Sequence, residues 1–164
     1  MIVVRPLDRS DMAAVIEGLA PNEPAQFQRR LEEQEQGGAV WFIAWLDGAA
    51  IGSVGVSTNN DHDVDAMLEA RGYALVEYLF VVERYRRRGA ARALMEALER
   101  LARANGKPGV ILDTGVNEDF AAARGLYTSL GYVDQGGVYL GGWSDPDHPG
   151  VNLVDPLTIW IKTF

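Results

Sequence analysis

The sequence predicts a mixed α/β fold in which helices cover both faces of one sheet. Three observations carry this prediction. Short apolar runs typical of strands alternate with stretches of helical periodicity, one pair of runs is joined by a hairpin signal, and the 164 residues are 48% hydrophobic. A chain of this length and composition can bury the core of one domain, so we expect a single domain over residues 1–164.

The first third of the chain predicts a strand, two helices and a hairpin. Residues 2–5 are strand-like, and capping residues at 7–12 precede a helix that Pro21 stops. Its apolar positions recur at helical spacing: Met12, Val15, Ile16 and Leu19. Residues 23–36, with Phe27 and Leu31 at helical spacing, predict a largely exposed second helix.

The next two strands form the clearest hairpin in the chain. Residues 40–46 and 50–58 are strand-like and are joined by Asp47-Gly48, a pair that suits the positive dihedrals of a tight turn. The polar, acidic residues 59–72 predict a loop with at most one helical turn before the next strand. Residues 73–82 are almost continuously apolar, which predicts a central strand buried on both faces.

The second half of the chain alternates helices and strands. Residues 90–104 predict a strong helix with one apolar stripe, formed by Ala93, Leu94, Ala97, Leu98 and Leu101. Four further elements follow: a strand at 109–113, a helix at 117–130, and strands at 131–140 and 157–164. The predicted order is strand, two helices, three strands, helix, strand, helix and two strands.

The composition excludes several functions. The chain has no cysteine, which rules out disulfides, thiolate metal sites and cysteine nucleophiles. The formal net charge of -8 disfavours nucleic acid as a partner. We expect no metal cofactor, and we expect His62 and His148 to be solvated loop residues. With no signal peptide or apolar membrane span, we expect a soluble, cytoplasmic protein without a membrane partner.

An apolar strand that runs into an arginine-rich turn and then a helix is the most informative segment. Five of the fifteen basic residues lie here: Arg84, Arg86, Arg87, Arg88 and Arg92. Amides at the start of a helix have no intrahelical acceptor, so they can bind phosphate oxygens, and Gly89 lets the backbone approach a ligand. The turn therefore predicts a diphosphate site, and the alternative is a solvated basic turn before an ordinary amphipathic helix.

Two segments together resemble the GCN5-related N-acetyltransferase (GNAT) superfamily. The run Arg86-Arg87-Arg88-Gly89-Ala90-Ala91 satisfies its acetyl-CoA motif, which is Gln or Arg, two variable residues, Gly, one variable residue, then Gly or Ala. Residues 117–132 are similar to the family's second segment, with an early Asn117, a late Tyr127 and a closing Gly131-Tyr132 pair. The resemblance implies a mixed, mostly antiparallel central sheet flanked by helices over essentially the whole chain.

The resemblance also implies acetyl-CoA as co-substrate. Its pyrophosphate would lie on the backbone amides of Arg86 to Ala91, and some of the arginines would remain on the surface. Its pantetheine arm would lie beside Val81 and Val82, where one strand amide polarises the acetyl carbonyl. Asn117 would either bind the arm or cap its own helix.

The resemblance supplies one catalytic candidate and the residues supply another. In this family a tyrosine in the position of Tyr127 lies near the cofactor sulfur and can protonate the leaving thiolate; otherwise this ring only packs on the sheet. Glu77 stands within an apolar run and must be paired, bind something or face a cavity, which favours a general base; otherwise it is a half-exposed charge where the strands splay. Glu83 lies nearer solvent and is the weaker candidate.

The expected function is transfer of the acetyl group to a primary amine of a small molecule, by direct attack in a ternary complex. Acidic residues in the loops at 61–69 and 143–151 suit a cationic acceptor. Two rivals remain: acetylation of a protein N-terminus or lysine, and a non-catalytic acetyl-CoA sensor. Trp143 would reach the acceptor cleft, whereas the other tryptophans would be core. A homodimer is a habit of the family.

Overall fold

The computed structural model describes residues 1–57, 72–144 and 150–164 and divides them into two compact units. One unit comprises Met1–Val110 with Phe164, and the other comprises Ile111–Thr163. The elements in chain order are β1 (Val3–Pro6), α1 (Met12–Leu19), α2 (Pro24–Glu35), β2 (Ala39–Leu46), β3 (Ala49–Ser57), β4 (Ala74–Val81), α3 (Ala90–Ala104), β5 (Gly109–Gly115), α4 (Ala121–Ser129), β6 (Val133–Asp134), β7 (Tyr139–Ser144) and β8 (Asn152–Thr163). Single-domain organisation over residues 1–164 stays a prediction.

Strands β1 to β4 of the first unit pair antiparallel in chain order, and helices cover both faces of the sheet they form. A Cβ built on Gly52 of β3 would meet Leu94 of α3, whereas one built on Gly55 would meet the Trp41 ring, which packs in a core with residues of α1 and α2. Because side chains three positions apart in a strand point to opposite faces, α3 lies on one face and the α1–α2 pair on the other.

The predicted hairpin is confirmed. Asp47 and Gly48 both have positive φ, 50° and 81°, and they join β2 to β3. Two positive values in a two-residue loop are the geometry that matches the twist of the flanking strands. The helices predicted at 23–36 and 90–104 are also confirmed, although the second buries Met95 and Glu99 beyond the predicted stripe.

The expectation that residues 73–82 form a strand buried on both faces is wrong. Tyr78 is 66% exposed and Phe80 is 42% exposed. Between the pairs Gly55 with Glu77 and Ser53 with Phe80, β4 has two residues where β3 has one, and Tyr78 takes a positive φ of 47°. This β-bulge breaks the ladder and turns the strand out toward a pocket described below.

In the second unit, β6 and β7 both pair antiparallel with β8. The single strand predicted at 131–140 is wrong, because Gly136 and Gly137 take positive φ and separate β6 from β7. The last strand begins at Asn152, earlier than the predicted residue 157, so the chain ends in three strands where two were predicted. The predicted loop at 59–72 lies outside the described residues except for Gly72.

The fold class is confirmed: it is a mixed α/β fold with an open, mostly antiparallel sheet flanked by helices. Within the described ranges, no helix is long and apolar enough to cross a membrane.

Candidate active site

The turn at the start of α3 has the geometry of an anion site. Gly89 is its N-cap with φ 89° and ψ 0°, and a Cβ added there would meet no atom within 4 Å. No side chain caps the helix, and its first turn contains no acidic residue. The first amides of this fifteen-residue helix therefore carry the positive end of the dipole with no side chain to offset it, as a diphosphate requires.

The arginines of the turn take different positions. Arg86 Nε donates to the Val81 carbonyl at 3.0 Å, which ties the turn to the end of β4. The guanidinium carbons of Arg84 and Arg88 lie 5.0 and 5.9 Å from the Tyr85 ring centroid. Arg87 has a positive φ of 59°, a conformation that costs a non-glycine residue about 1–2 kcal/mol. Backbone strain of this kind is typical of ligand-binding turns.

Val81 and Val82 differ in whether their backbone amides bond to β3. The Val82 amide donates to the Ile51 carbonyl of β3 at 2.9 Å. Because hydrogen-bonded pairs alternate along an antiparallel ladder, the next pair, Gly52 with Val81, is a non-hydrogen-bonded one. The Val81 amide therefore points away from β3. Of the two predicted pantetheine neighbours, Val82 thus bonds its amide to β3 and Val81 does not.

Glu77 lies just before the bulge, opposite Gly55, on the face of the sheet that carries Trp41. The pKa of Glu77 is raised to about 7: burial contributes most, the charge of Glu33 adds to the rise, and the charge of Arg30 opposes both. Both neighbours come from α2, one turn apart. A carboxyl group whose pKa lies near neutral pH has the affinity for protons that a general base needs.

A pocket of about 430 Å³ opens beside the bulge. Its walls come from three places, the end of α1 with the loop that follows, the first half of α2, and the bulged part of β4: Leu19, Ala20, Pro21, Asn22, Glu23, Gln26, Phe27, Arg30, Tyr78, Leu79 and Phe80. Its volume lies within the range of small-molecule sites.

Sequence reasoning missed Arg30, which stands in this pocket. Its guanidinium carbon lies 4.1 Å from the Trp41 ring centroid, 4.7 Å from that of Phe27 and 5.7 Å from that of Tyr78. Burial lowers the pKa of Arg30 to about 10, so the group is still a cation at neutral pH. The sequence did contain a signal for Arg30. This residue lies three residues after Phe27 and next to Leu31, and so it borders the apolar face of α2.

Tyr127 is the one buried residue of α4. Its ring is 5% exposed and packs at 6.0 Å from Tyr132 and 6.3 Å from Trp160, measured between centroids. Within the described part of the chain its hydroxyl makes no hydrogen bond. Burial, and then the charge of Asp113, raises the pKa of Tyr127 to about 12. The hydroxyl is therefore protonated at any physiological pH and is a donor without a partner in its own unit.

Asn117 caps the short helix that precedes α4. Its Oδ1 accepts from the Asp119 amide at 3.1 Å, and Arg124 bridges the carbonyls of Gly115 and Asn117 at 2.8 Å each. The capping role is thus present. The side-chain amide of this exposed residue makes no hydrogen bond within the described ranges, so a role toward the pantetheine arm stays a prediction.

The first unit brings Glu77, Val81, Val82 and the turn from Arg86 to Ala91 into one continuous segment, and the second unit holds Asn117 and Tyr127. Trp41, Trp45 and Trp160 are buried, as expected of core residues. The backbone of Trp143 belongs to β7, whereas its side chain, His62, His148 and the acidic loop at 61–69 lie outside the described residues. Over residues 1–57, 72–144 and 150–164, no cluster of three or more His, Asp or Glu residues could hold a metal ion.

Comparison with known proteins gives the family. The model of the acetyltransferase (GNAT) family matches residues 9–132. A structure of yncA from Salmonella typhimurium, solved with its cofactor acetyl-CoA, is 16% identical with a TM-score of 0.71 and coverage of 99% of this chain and 93% of that one. The acetyltransferase of GNAT family from Streptococcus pneumoniae is 18% identical, with a TM-score of 0.71 and coverage of 100% of both chains.

A ribosomal-protein-alanine N-acetyltransferase from Brucella melitensis is 16% identical, with a TM-score of 0.73 and coverage of 99% of both chains. Identities this low show a shared fold. No curated protein sequence matches the chain significantly. Because the family model spans about three quarters of the sequence, including both the arginine-rich turn and Tyr127, the chain belongs to the GNAT family of acetyltransferases.

Proposed function

We propose that this protein transfers the acetyl group of acetyl-CoA to a primary amine of a small molecule, by direct attack of the amine. The observation that carries the proposal is the pocket of about 430 Å³ whose lining includes Arg30 and Tyr78, the residue after Glu77. Glu77, whose pKa is raised to about 7, lies close enough to Arg30 for their charges to interact. A base of this kind beside a pocket of small-molecule size suits an amine that must lose a proton before it attacks.

The uncapped start of α3 would bind the diphosphate of acetyl-CoA. The amides of Ala90 and Ala91 belong to the first helical turn, and Gly89 presents them without a side chain of its own. The residues from Arg86 to Arg88 supply positive charge around them, although Arg86 already binds the Val81 carbonyl. Acetyl-CoA supplies the acetyl group and a thiolate leaving group, and the Val81 amide would polarise the acetyl carbonyl.

Glu77 would accept the proton of the acceptor ammonium, directly or through one water. At pH 7.5 the Glu77 carboxyl group is mostly ionised, because its pKa is about 7. The carboxylate still binds a proton far more tightly than that of an ordinary glutamate does. Tyr127 would donate a hydrogen bond to the leaving thiolate. With a pKa of about 12 it stabilises the thiolate as a hydrogen-bond donor and keeps its own proton.

The experiment is a panel of small primary amines, polyamines and peptides, each incubated with the protein and acetyl-CoA. Release of free thiol is followed, and the acetylated product is identified by mass spectrometry. The proposal predicts thiol release and an N-acetyl product with one class of small amine. Release with peptides alone, and with no small amine, would refute it.

The principal rival is acetylation of a protein N-terminus or lysine. Two structurally similar proteins are described as ribosomal-protein-alanine N-acetyltransferases, at 16% and 18% identity. That activity needs an open groove for a peptide, and the peptides of the panel test for it directly. A non-catalytic acetyl-CoA sensor, the second rival, would bind acetyl-CoA and release no thiol with any member of the panel.

Three further expectations belong to this proposal. The protein acts as one GNAT domain over residues 1–164, it forms a homodimer, and it works in the cytoplasm without a metal, a membrane or nucleic acid. Light scattering of the purified protein would test the dimer directly.

A further inference from the structure

We propose that Arg30 binds a carboxylate of the acceptor, so that the acceptor is a small amine that also carries a free carboxyl group, as an amino acid does. This inference rests on the proposed function, because it assigns the substrate class of the same pocket. It adds a specificity-determining residue that lies outside both motifs of the family.

The first step is the state of the Arg30 side chain. A guanidinium has five N–H donors, and within the described ranges this one makes no hydrogen bond and no ion pair. The residue is half-buried, so water does not surround it freely. A cation in this position gains most from an acceptor that enters the pocket, and a carboxylate offers two oxygens in the matching bidentate geometry.

The second step is how the group is held. The rings of Trp41, Phe27 and Tyr78 surround the guanidinium, with centroids 4.1 to 5.7 Å from its central carbon. The Trp41 ring is itself fixed, because it packs onto Gly55 and its Nε1 donates to Glu33 at 3.1 Å. A fork held by aromatic stacking loses little conformational entropy when it binds, which favours recognition of a planar anion.

The third step is the distribution of charge. Glu77 and Glu33 lie close enough to Arg30 for their charges to act on it, yet neither forms an ion pair with it. The lining of the pocket itself includes the carboxylate side chain of Glu23 as well as the guanidinium of Arg30, so it offers a partner to an ammonium and another to an anion. A zwitterionic acceptor satisfies both, whereas Arg30 repels a polycation. The walls at Leu19, Phe27 and Phe80 suit an apolar side chain.

The test compares free amino acids with their carboxamides. The acceptors are leucine and phenylalanine, each supplied as the free amino acid and as its carboxamide. Thiol release from acetyl-CoA is measured with each acceptor for wild type, Arg30→Gln, Arg30→Lys and Arg29→Gln. Rates are expressed per neutral amine, because the ammonium pKa differs between acid and carboxamide. Arg29→Gln is the matched control, since it removes the same charge from an exposed position of the same helix.

Wild type should prefer the acid over the carboxamide by about 10- to 100-fold in kcat/KM. Arg30→Gln should bring that ratio close to one, mainly by raising KM for the acid; Arg30→Lys should restore part of it, and Arg29→Gln should leave it unchanged. The wild-type comparison needs no variant, so it holds even if Arg30→Gln folds poorly.

Two results would overturn the inference and separate it from the proposed function. Equal turnover of acid and carboxamide by wild type, or a ratio unchanged in a folded Arg30→Gln variant, removes the carboxylate site and leaves small-molecule acetylation intact. No thiol release with any small amine removes both.

Discussion

The pH dependence of catalysis should follow Glu77. With a pKa of about 7, this carboxyl group is about 10% ionised at pH 6 and about 90% ionised at pH 8, whereas at its ordinary value of 4.5 it would be ionised throughout. We therefore expect kcat/KM to rise about tenfold over this interval, in addition to the titration of the acceptor ammonium. Glu77→Gln should abolish this rise, which is one limb of the pH-rate profile, and should lower kcat about 100-fold or more.

The same substitution has a stability readout with a defined sign. A carboxyl group whose pKa is higher in the folded state binds its proton more tightly there, so stability falls as the pH rises from about 4.5 through about 7. Glu77→Gln removes the loss of stability that ionisation of this carboxyl group causes. The variant should be less active and yet have a higher Tm than wild type at pH 8, with little difference at pH 4.5, which separates loss of a base from misfolding.

Two control variants make the assignment specific. Glu33→Gln removes the neighbouring negative charge that raises the pKa of Glu77, so the limb should move to lower pH. Glu83→Gln, at the exposed residue beyond β4, should reproduce the wild-type profile. A Glu77→Gln profile identical in shape to that of wild type would refute the reasoning.

Four other substitutions test the rest of the site and the fold. Tyr127→Phe should lower kcat about 10- to 100-fold without lowering Tm, because its hydroxyl makes no hydrogen bond within the described ranges; a normal rate in steady-state assays would exclude it as the donor. Gly89→Ala and Gly106→Ala each place a side chain at positive φ in open space, at opposite ends of α3, and each should cost about 1 kcal/mol in urea denaturation. Only Gly89→Ala should also weaken acetyl-CoA binding in calorimetry, and equal affinities would contradict the anion site. Gly55→Ala puts a Cβ within 2.8 Å of the Trp41 ring and should cost about 1–3 kcal/mol in the same denaturation assay, so a neutral result would contradict the packing.

Local signals predicted the elements whose structure is decided locally. The positive dihedrals of the Asp47-Gly48 turn, the length of α3 and the cap at Asn117 all follow from residue chemistry within a few positions. The start of α3 was likewise recognisable, since Gly89 and the arginines around it lie in one continuous segment. These features need no knowledge of which strands pair.

The features that were mispredicted or missed depend on contacts that are distant in sequence. The apolar run of β4 conceals a bulge, which arises from its register against β3 and exposes Tyr78. Arg30 belongs to a helix whose composition indicates an exposed surface, and its place over Trp41 exists only after α2 packs on β2. The break between β6 and β7 is the exception, because the paired glycines at 136 and 137 are a local turn signal in the sequence.

Transfer of a labelled acetyl group distinguishes direct attack by the amine from transfer through an acetylated protein. The protein would be mixed with acetyl-CoA carrying carbon-13 in the acetyl group, with and without the acceptor amine, and both protein and acceptor would be weighed by mass spectrometry within a single turnover. Direct attack predicts label on the acceptor nitrogen and none on the protein. Acetylated protein that forms with acetyl-CoA alone and then passes its label to the amine would contradict direct attack.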